Sequence, residues 1–135
     1  MVFNGVEYNI QFWQGEELGR TLAIDTETTV IPFTETPDLI TFQVFDGENL
    51  YYVDRSLVGD FLKKHVTRTL VFANAPFDVD VIEKHSKYLL KEFIENDRVF
   101  DINILYRLCG LATTGNVPRK YSLYHITKEL LGVEL

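Results

Sequence analysis

The chain has 135 residues, of which 46% are hydrophobic, 24% charged and 13% aromatic, the make-up of one compact soluble domain rather than a disordered or multidomain chain. Twenty acids against thirteen bases give a formal charge of −7, which argues against a tight, freestanding DNA-binding protein that works by neutralising phosphates. A nuclease is not excluded, because carboxylates that hold divalent cations make a metal-free count look acidic.

The single Cys109 allows no intramolecular disulfide, and no apolar run approaches the ~20 residues of a membrane span. The start, Met1-Val2-Phe3-Asn4-Gly5, lacks the basic-then-apolar pattern of a signal peptide. The expected location is a cytoplasm, with no membrane partner.

In chain order, Val2-Phe3, an Asn4-Gly5 turn and Val6 to Phe12 read as a hairpin. Thr21 to Glu27 is a short apolar strand. After a loop with Pro32 and Pro37, Leu39 to Phe45 and Leu50 to Val53 read as strands joined by an Asp46-Gly47 turn, completing a meander. Ser56 is placed to cap a helix over Leu57, Phe61 and Leu62, and Thr69 to Phe72 reads as a strand feeding a helix from about Phe77 to His85. Val99-Phe100 is a further short strand, and Asp101 is placed to cap a helix carrying Ile104, Leu105, Leu108 and Leu111. Gly110 to Arg119 reads as a loop. Ser122 opens a last helix with Leu123, Ile126, Leu130 and Leu131 on one side and Gly132 at its end. Three antiparallel strands followed by alternating strand and helix predict an α/β fold with a mixed central sheet flanked by helices.

Asp25-Thr26-Glu27 carries the first chemistry. Side chains alternate along a strand, so Asp25 and Glu27 share one face while Leu22, Ile24 and Thr26 share the other. Two carboxylates aimed at one point repel, and a hard cation such as Mg²⁺ or Mn²⁺ relieves that repulsion. The plainer alternative is a strand end whose acids face water. A second cluster, Asn74-Ala75-Pro76-Phe77-Asp78, follows the apolar strand Leu70-Val71-Phe72, so Asp78 falls at the start of a helix beside the strand's C-terminal end. Ligands gather at such ends in α/β sheets. Here the alternative is that Asp78 serves the helix dipole and Asn74 makes a turn.

Together the segments resemble a known family. Ala23 to Thr28 resembles the first, and Asn74 to Asp78 the second, exonuclease motif of the DEDD superfamily of 3′–5′ exonucleases. The phrasing is closest to the proofreading domain of family A (DNA polymerase I-like) polymerases. Val99 to Leu108, and Ser122-Leu123 running into Leu130-Leu131-Gly132, are similar to the stretches that follow there. The resemblance covers roughly Leu22 to the C-terminus. It implies an RNase H-like fold and two-metal hydrolysis of a terminal phosphodiester by two divalent cations, Mg²⁺ or Mn²⁺. By the same resemblance Asp25 bridges both ions, Glu27 holds one and orients the water, and Asp78 supports the second. Thr28, Ile31, Asn74 and Phe77 then contact the terminal nucleotide or shape its pocket. The implied substrate is the 3′ end of single-stranded DNA, and the implied partner is a polymerase domain or a separate polymerase chain, bacterial or viral.

The family also supplies a fourth carboxylate from a late helix, with Tyr four or His five residues before it, and this chain has neither pattern. The expectation is therefore one exonuclease-like domain over 1–135, an N-terminal hairpin over 1–20 and a core over 21–135, C-terminally incomplete and lacking the final helix. Three carboxylates balance two divalent cations poorly, and losing one member of such a set slows chemistry by orders of magnitude, so weak or absent activity is expected. A non-catalytic scaffold or interaction domain, and an exoribonuclease of the same superfamily, are the competing readings. Asp101 reads as a helix cap, Asp80 as a solvated helix residue, and Glu129 and Glu134 as surface acids. His65, His85 and His125 read as helix-surface or cap residues, Trp13 and Tyr51-Tyr52 as core packing, and Lys63-Lys64 and Arg119-Lys120 as solvated.

Overall fold

A computed structural model describes residues 1–30, 34–87 and 90–135. The chain begins with two short antiparallel strands, β1 (Val2–Phe3) and β2 (Val6–Glu7), turned by Asn4-Gly5 with both residues at positive φ. The predicted hairpin ends there. Ile10–Phe12 forms a separate strand, β3, which pairs in parallel with β6 (Leu50–Val53) instead of continuing β2. Tyr8 N–H donates to the Met1 carbonyl and Leu50 N–H to that of Asn9, so the chain leaves one sheet and enters the other within two residues.

Among the described residues the main sheet has six strands in the order β3-β6-β5-β4-β7-β8, with β4 (Thr21–Thr28), β5 (Leu39–Phe45), β7 (Thr69–Phe72) and β8 (Val99–Asp101). β4 is central. It pairs antiparallel with β5 and parallel with β7, and β5 is the strand that runs against all the others. This is the expected mixed sheet: meander first, parallel strands after.

Alternation decides which face is covered. Along β4 the residues Leu22, Ile24 and Thr26 are buried while Ala23, Asp25 and Glu27 are exposed. The buried face packs on α1 (Val58–Lys64), α2 (Ala75–Ser86) and α3 (Lys91–Glu95), where Trp13, Phe42, Phe61, Phe72, Val81, Ile82 and Phe93 form the core. Trp13 and Tyr51 are core residues, as expected, but Tyr52 and Phe12 are exposed, because alternation along β6 and the edge position of β3 turn them away from the core.

Several local expectations are corrected. The cap before α1 is Asp54, not Ser56: its carboxylate accepts from Ser56 N–H at 2.8 Å and opens a 3₁₀ turn over Arg55–Leu57. α2 starts two residues before the predicted Phe77, because Asn74 adopts a left-handed conformation (φ 74°) that lets the chain turn directly from β7 into a helix with Pro76 in its first turn. α3 was not predicted; it is a five-residue helix whose single fully buried side chain, Phe93, leaves no periodic signal.

His65 closes α1 as its C-cap, one of the two expected roles, but it does not lie on the surface. It is fully buried; Nε2 accepts from Leu18 N–H at 3.0 Å and Nδ1 lies 2.8 Å from the Phe61 carbonyl. That arrangement fixes a neutral ring that ties the 13–18 segment to α1.

The C-terminal third departs most from expectation. The helix capped by Asp101, α4 (Ile102–Thr114), runs four residues past Gly110 and ends at Gly115 in the left-handed conformation. Gly110 lies within this helix, and Pro118 of the following loop packs directly where a side chain would stand. α5 (Leu123–Leu131) is capped by Ser122 and closed by Gly132, as predicted, but of its apolar residues only Ile126 is buried.

Candidate active site

The site is built at the C-terminal ends of β4, β7 and β8. The register pairs Ala23 with Val71 and Phe72 with Asp101, so Asp25, the start of α2 and Asp101 lie at one end of the sheet. A register shift between Glu27 and Thr28 marks an irregularity beside the two β4 acids. Such bulges re-aim side chains at sites of this kind.

Asp25 and Glu27 stand on the exposed face of β4. Neither has a cationic partner among the described residues. Partial loss of hydration raises the pKa of Asp25 from its ordinary 3.8, and the Glu27 charge adds to the rise. Although the residue is exposed to solvent, enough protein surrounds the carboxyl for desolvation to exceed the charge effect.

Asp78 arrives from the other side. It lies in the first turn of α2, is 4% exposed, and accepts a 2.6 Å hydrogen bond from Thr26 Oγ1. Burial pushes its carboxyl up from 3.8 to about 6; the Thr26 bond opposes that rise and the Asp25 charge adds to it. Asp25 therefore feels Glu27 and Asp78 feels Asp25, yet the structure turns Asp78 onto Thr26. Among the described residues no three metal-type side chains gather into one ligand set. Alternation is the physical reason: Thr26, not Asp25, faces the helix that carries Asp78.

A divalent cation is tested by this donor set. Mg²⁺ is held by one or two carboxylates together with substrate phosphates, and it prefers hard oxygens. Asp25 and Glu27 meet that description as two exposed, cation-free carboxylates on one face. They fit, with Asp78 as an adjoining acid bonded elsewhere.

The nucleotide-contact candidates are dispersed around these acids. Thr28 ends β4 half-buried and donates to the Thr29 carbonyl at 3.1 Å. Asn74 is exposed at the β7–α2 turn with its side chain outside any helix cap, and Phe77 is half-buried against the core. Ile31 lies outside the described residues.

Two positioning residues escaped the sequence reading. Thr26 was assigned only a face, although its hydroxyl is the group that holds Asp78. Asp101 caps α4 through Asn103 N–H (2.9 Å), as predicted, but it also accepts from Asn74 N–H (3.2 Å) and Ala75 N–H (2.9 Å) at the start of α2. One buried carboxylate thus joins two helix N-termini, which its i+2 spacing to Asn103 could signal for α4 alone. With these bonds in place Asp101 is occupied as a cap. The large groove between α4 and α5, about 1050 Å³, is lined by none of Asp25, Glu27 or Asp78.

The chain matches the 3′-5′ exonuclease family over residues 7–135. No match was found among curated proteins. Among solved structures it is similar to RNase D of Escherichia coli, an exoribonuclease involved in structured RNA processing, at 24% identity and a TM-score of 0.64, over 87% of this chain and 29% of that one. It is similar to Brucella melitensis NrnC, solved with bound pGG, at 19% identity and a TM-score of 0.65, over 96% and 64%. The Nibbler EXO domain of Aedes aegypti aligns at 12% identity and a TM-score of 0.68, over 94% and 70%. Another NrnC structure holds Mg²⁺. The chain therefore spans under a third of the RNase D chain and about two-thirds of the other two. With the acids at one end of the six-stranded mixed sheet, these findings show that the chain belongs to the 3′-5′ exonuclease family of the DEDD superfamily, on an RNase H-like fold.

Proposed function

We propose that the chain acts at the 3′ end of single-stranded DNA as the exonuclease part of a polymerase system, hydrolysing the terminal phosphodiester. The supporting observation is the placement of Asp25 and Glu27 on β4 beside Asp78 on α2, in the segments whose phrasing resembles the proofreading domain. Asp25 and Glu27 would hold a divalent cation, which when bound supplies Lewis-acid polarisation of the phosphodiester and a more acidic water. Asp78, oriented by the Thr26 hydroxyl, would support a second ion beside them. Asn74 and Thr28 present polar groups at the same strand ends for the terminal nucleotide. The net charge of −7 gives little long-range attraction for a polyanion, which supports delivery of the strand by a more basic partner.

A second reading, an exoribonuclease, is favoured by the fold likeness to RNase D and the Nibbler EXO domain. One assay separates the readings: 5′-labelled DNA and RNA oligonucleotides of equal sequence, incubated with the protein and Mn²⁺, with Asp25→Ala as control. Shortening of DNA from the 3′ end that is lost in Asp25→Ala supports the first reading, and preferential shortening of RNA supports the second. If neither shortens and calorimetry detects no Mn²⁺ binding, the chain is a non-catalytic relative of its family.

A further inference from the structure

The open face of the main sheet changes character along β5. Register places Phe45 between Ala23 and Leu50 in an apolar row, whereas Gln43 stands opposite Asp25 and Thr41 opposite Glu27. Directly opposed residues of an antiparallel pair share a face, with Cβ atoms about 4.5–5.5 Å apart. The two acids of β4 therefore have an amide and a hydroxyl as their immediate cross-strand neighbours. Phe42, between Thr41 and Gln43, pairs with Thr26 on the covered face, and its full burial fixes which side is which.

Gln43 and Thr41 are not two independently solvated side chains. Both are half-buried, while Asp25 and Glu27 beside them are exposed. Gln43 Nε2 donates to Thr41 Oγ1 at 3.0 Å. Beyond Gln43 the row continues into Tyr52 and Phe12, whose ring centroids lie 6.1 Å apart. Gln43 thus stands between an aromatic pair and Asp25. Its bond to Thr41 uses one amide N–H and one hydroxyl lone pair. A primary amide also has a second N–H and a carbonyl oxygen, and a threonine hydroxyl that accepts still has its own proton to donate. Among the described residues these remaining side-chain groups make no further hydrogen bond. Polar capacity held half out of water beside two carboxylates suits the surroundings of a divalent cation, where groups that orient the ligands tune its affinity.

We propose that Thr41 and Gln43 are positioning residues for the acid pair. The Thr41 hydroxyl, held by Gln43, donates to the Glu27 carboxylate, and the Gln43 carbonyl accepts from the hydration shell of a divalent cation at Asp25 and Glu27. The two side chains hold the carboxylates side by side before the ion arrives, against the mutual repulsion of like charges. This role rests on the reading of Asp25 and Glu27 as cation-holding acids, and it adds β5 to the elements that build the site.

Calorimetric titration of the full chain with Mn²⁺ is the test. Removing an outer partner of a metal site costs about 10–100-fold in affinity, so Gln43→Leu and Thr41→Val should each weaken Mn²⁺ binding by about ten-fold or more. Thr41→Ser, which keeps the hydroxyl, should bind as the parent does. Because the two side chains act through one hydrogen bond, the double variant Gln43→Leu, Thr41→Val should lose less than the product of the two single losses. Tyr52→Leu, on the same row but outside the proposed polar pair, should leave the affinity unchanged. Urea unfolding identifies any variant that does not fold, and if Gln43→Leu is one, Thr41→Val against Thr41→Ser carries the comparison. Equal Mn²⁺ binding by the parent, Gln43→Leu and Thr41→Val, with none by Asp25→Ala, overturns the positioning role and leaves the acid pair standing. Thr41→Ser as weak as Thr41→Val, or Tyr52→Leu as weak as Gln43→Leu, also overturns it, because the loss would then follow packing. Multiplicative losses in the double variant break the link between Thr41 and Gln43 and overturn it too. No Mn²⁺ binding by the parent overturns both the positioning role and the reading of the acids.

Discussion

Replacing Asp101 by alanine tests whether one buried carboxylate holds two helix starts together at the sheet end. The substitution removes the acceptors of three backbone N–H groups, those of Asn74, Ala75 and Asn103. Their costs differ with solvent access. Ala75 is 7% exposed, so its N–H is stranded, at about 1–3 kcal/mol. The Asn103 bond is an ordinary N-cap, worth about 1 kcal/mol. Asn74 is exposed and its N–H is rehydrated, costing a few tenths of a kcal/mol. Asp101→Ala should therefore destabilise the protein by about 3 kcal/mol, and Asp101→Asn, which keeps one acceptor oxygen, by about 2 kcal/mol. In urea unfolding with a slope of about 1.5–2 kcal/mol/M, the alanine variant should move the midpoint down by about 1.5–2 M. A loss below about 1 kcal/mol for alanine, or an asparagine variant as stable as the parent, would refute the double-cap account. A metal-ligand role makes a different forecast: Mn²⁺ would then stabilise the parent but not the variants, whereas a cap leaves the Mn²⁺ increment equal in all three.

Asp78 has a folded pKa raised to about 6 above its ordinary 3.8, so its ionisation removes stability as pH rises through that window. Without metal, Asp78→Asn, which retains an acceptor for Thr26, should be more stable than the parent at pH 7.5 by about 1–2 kcal/mol after allowance for solvent at the strand end, and no difference should remain at pH 4; thermal melts at both pH values decide it. His65 acts in the opposite sense. Burial lowers its pKa below the ordinary 6.5, the Phe61 carbonyl bond opposes this and the Arg68 and Lys64 charges add to it, so its contribution is complete above pH 6.5 and declines as pH falls below it. His65→Gln should flatten the loss of stability between pH 6.5 and 5 in denaturant titrations, and an unchanged slope would show that another group titrates there. Gly110→Ala should cost about 1–2 kcal/mol despite alanine's better helix propensity, because the new Cβ would stand 2.6 Å from Pro118 Cδ and closer still to Cγ; a gain in melting temperature would show that the loop yields freely.

The acids of the site were legible because a strand's period of two is rigid: Asp25-Thr26-Glu27 in an apolar strand puts the carboxylates on one face whatever else the fold does. The start of α2 near Asp78 was legible for a similar local reason, a turn residue and a proline after an apolar run. What Asp78 touches was not. Its partner is Thr26, 52 residues earlier, and that contact depends on the helix packing on the face opposite Asp25. His65 differs for a related reason: with Val58, Phe61 and Leu62 it falls on the i, i+3, i+4, i+7 face that α1 buries, but the sequence does not say what satisfies its ring, and only the return of the 13–18 segment over the helix supplies the Leu18 N–H that makes a buried ring tolerable. Gly110 read as a helix terminator because its residue type favours one, but it lies within α4, and Pro118 occupies the space its missing side chain leaves.

Sequence alone determined the order of the strands from β4 onward and of the helices other than α3, the turn at Asn4-Gly5, the Ser122 and Gly132 ends of α5, and the family to which the motifs belong, since each rests on residues adjacent along the chain. Tertiary structure alone decided that β3 leaves its hairpin for the far edge of the main sheet, that Asp101 serves two helices at once, that Asp78 turns to Thr26, and that the α4–α5 stripe faces solvent. Backbone propensities and periodicity act over a few residues and can be read in order. Desolvation and hydrogen-bond satisfaction act between whatever segments the fold brings together, and their outcome exists only once the chain has closed on itself.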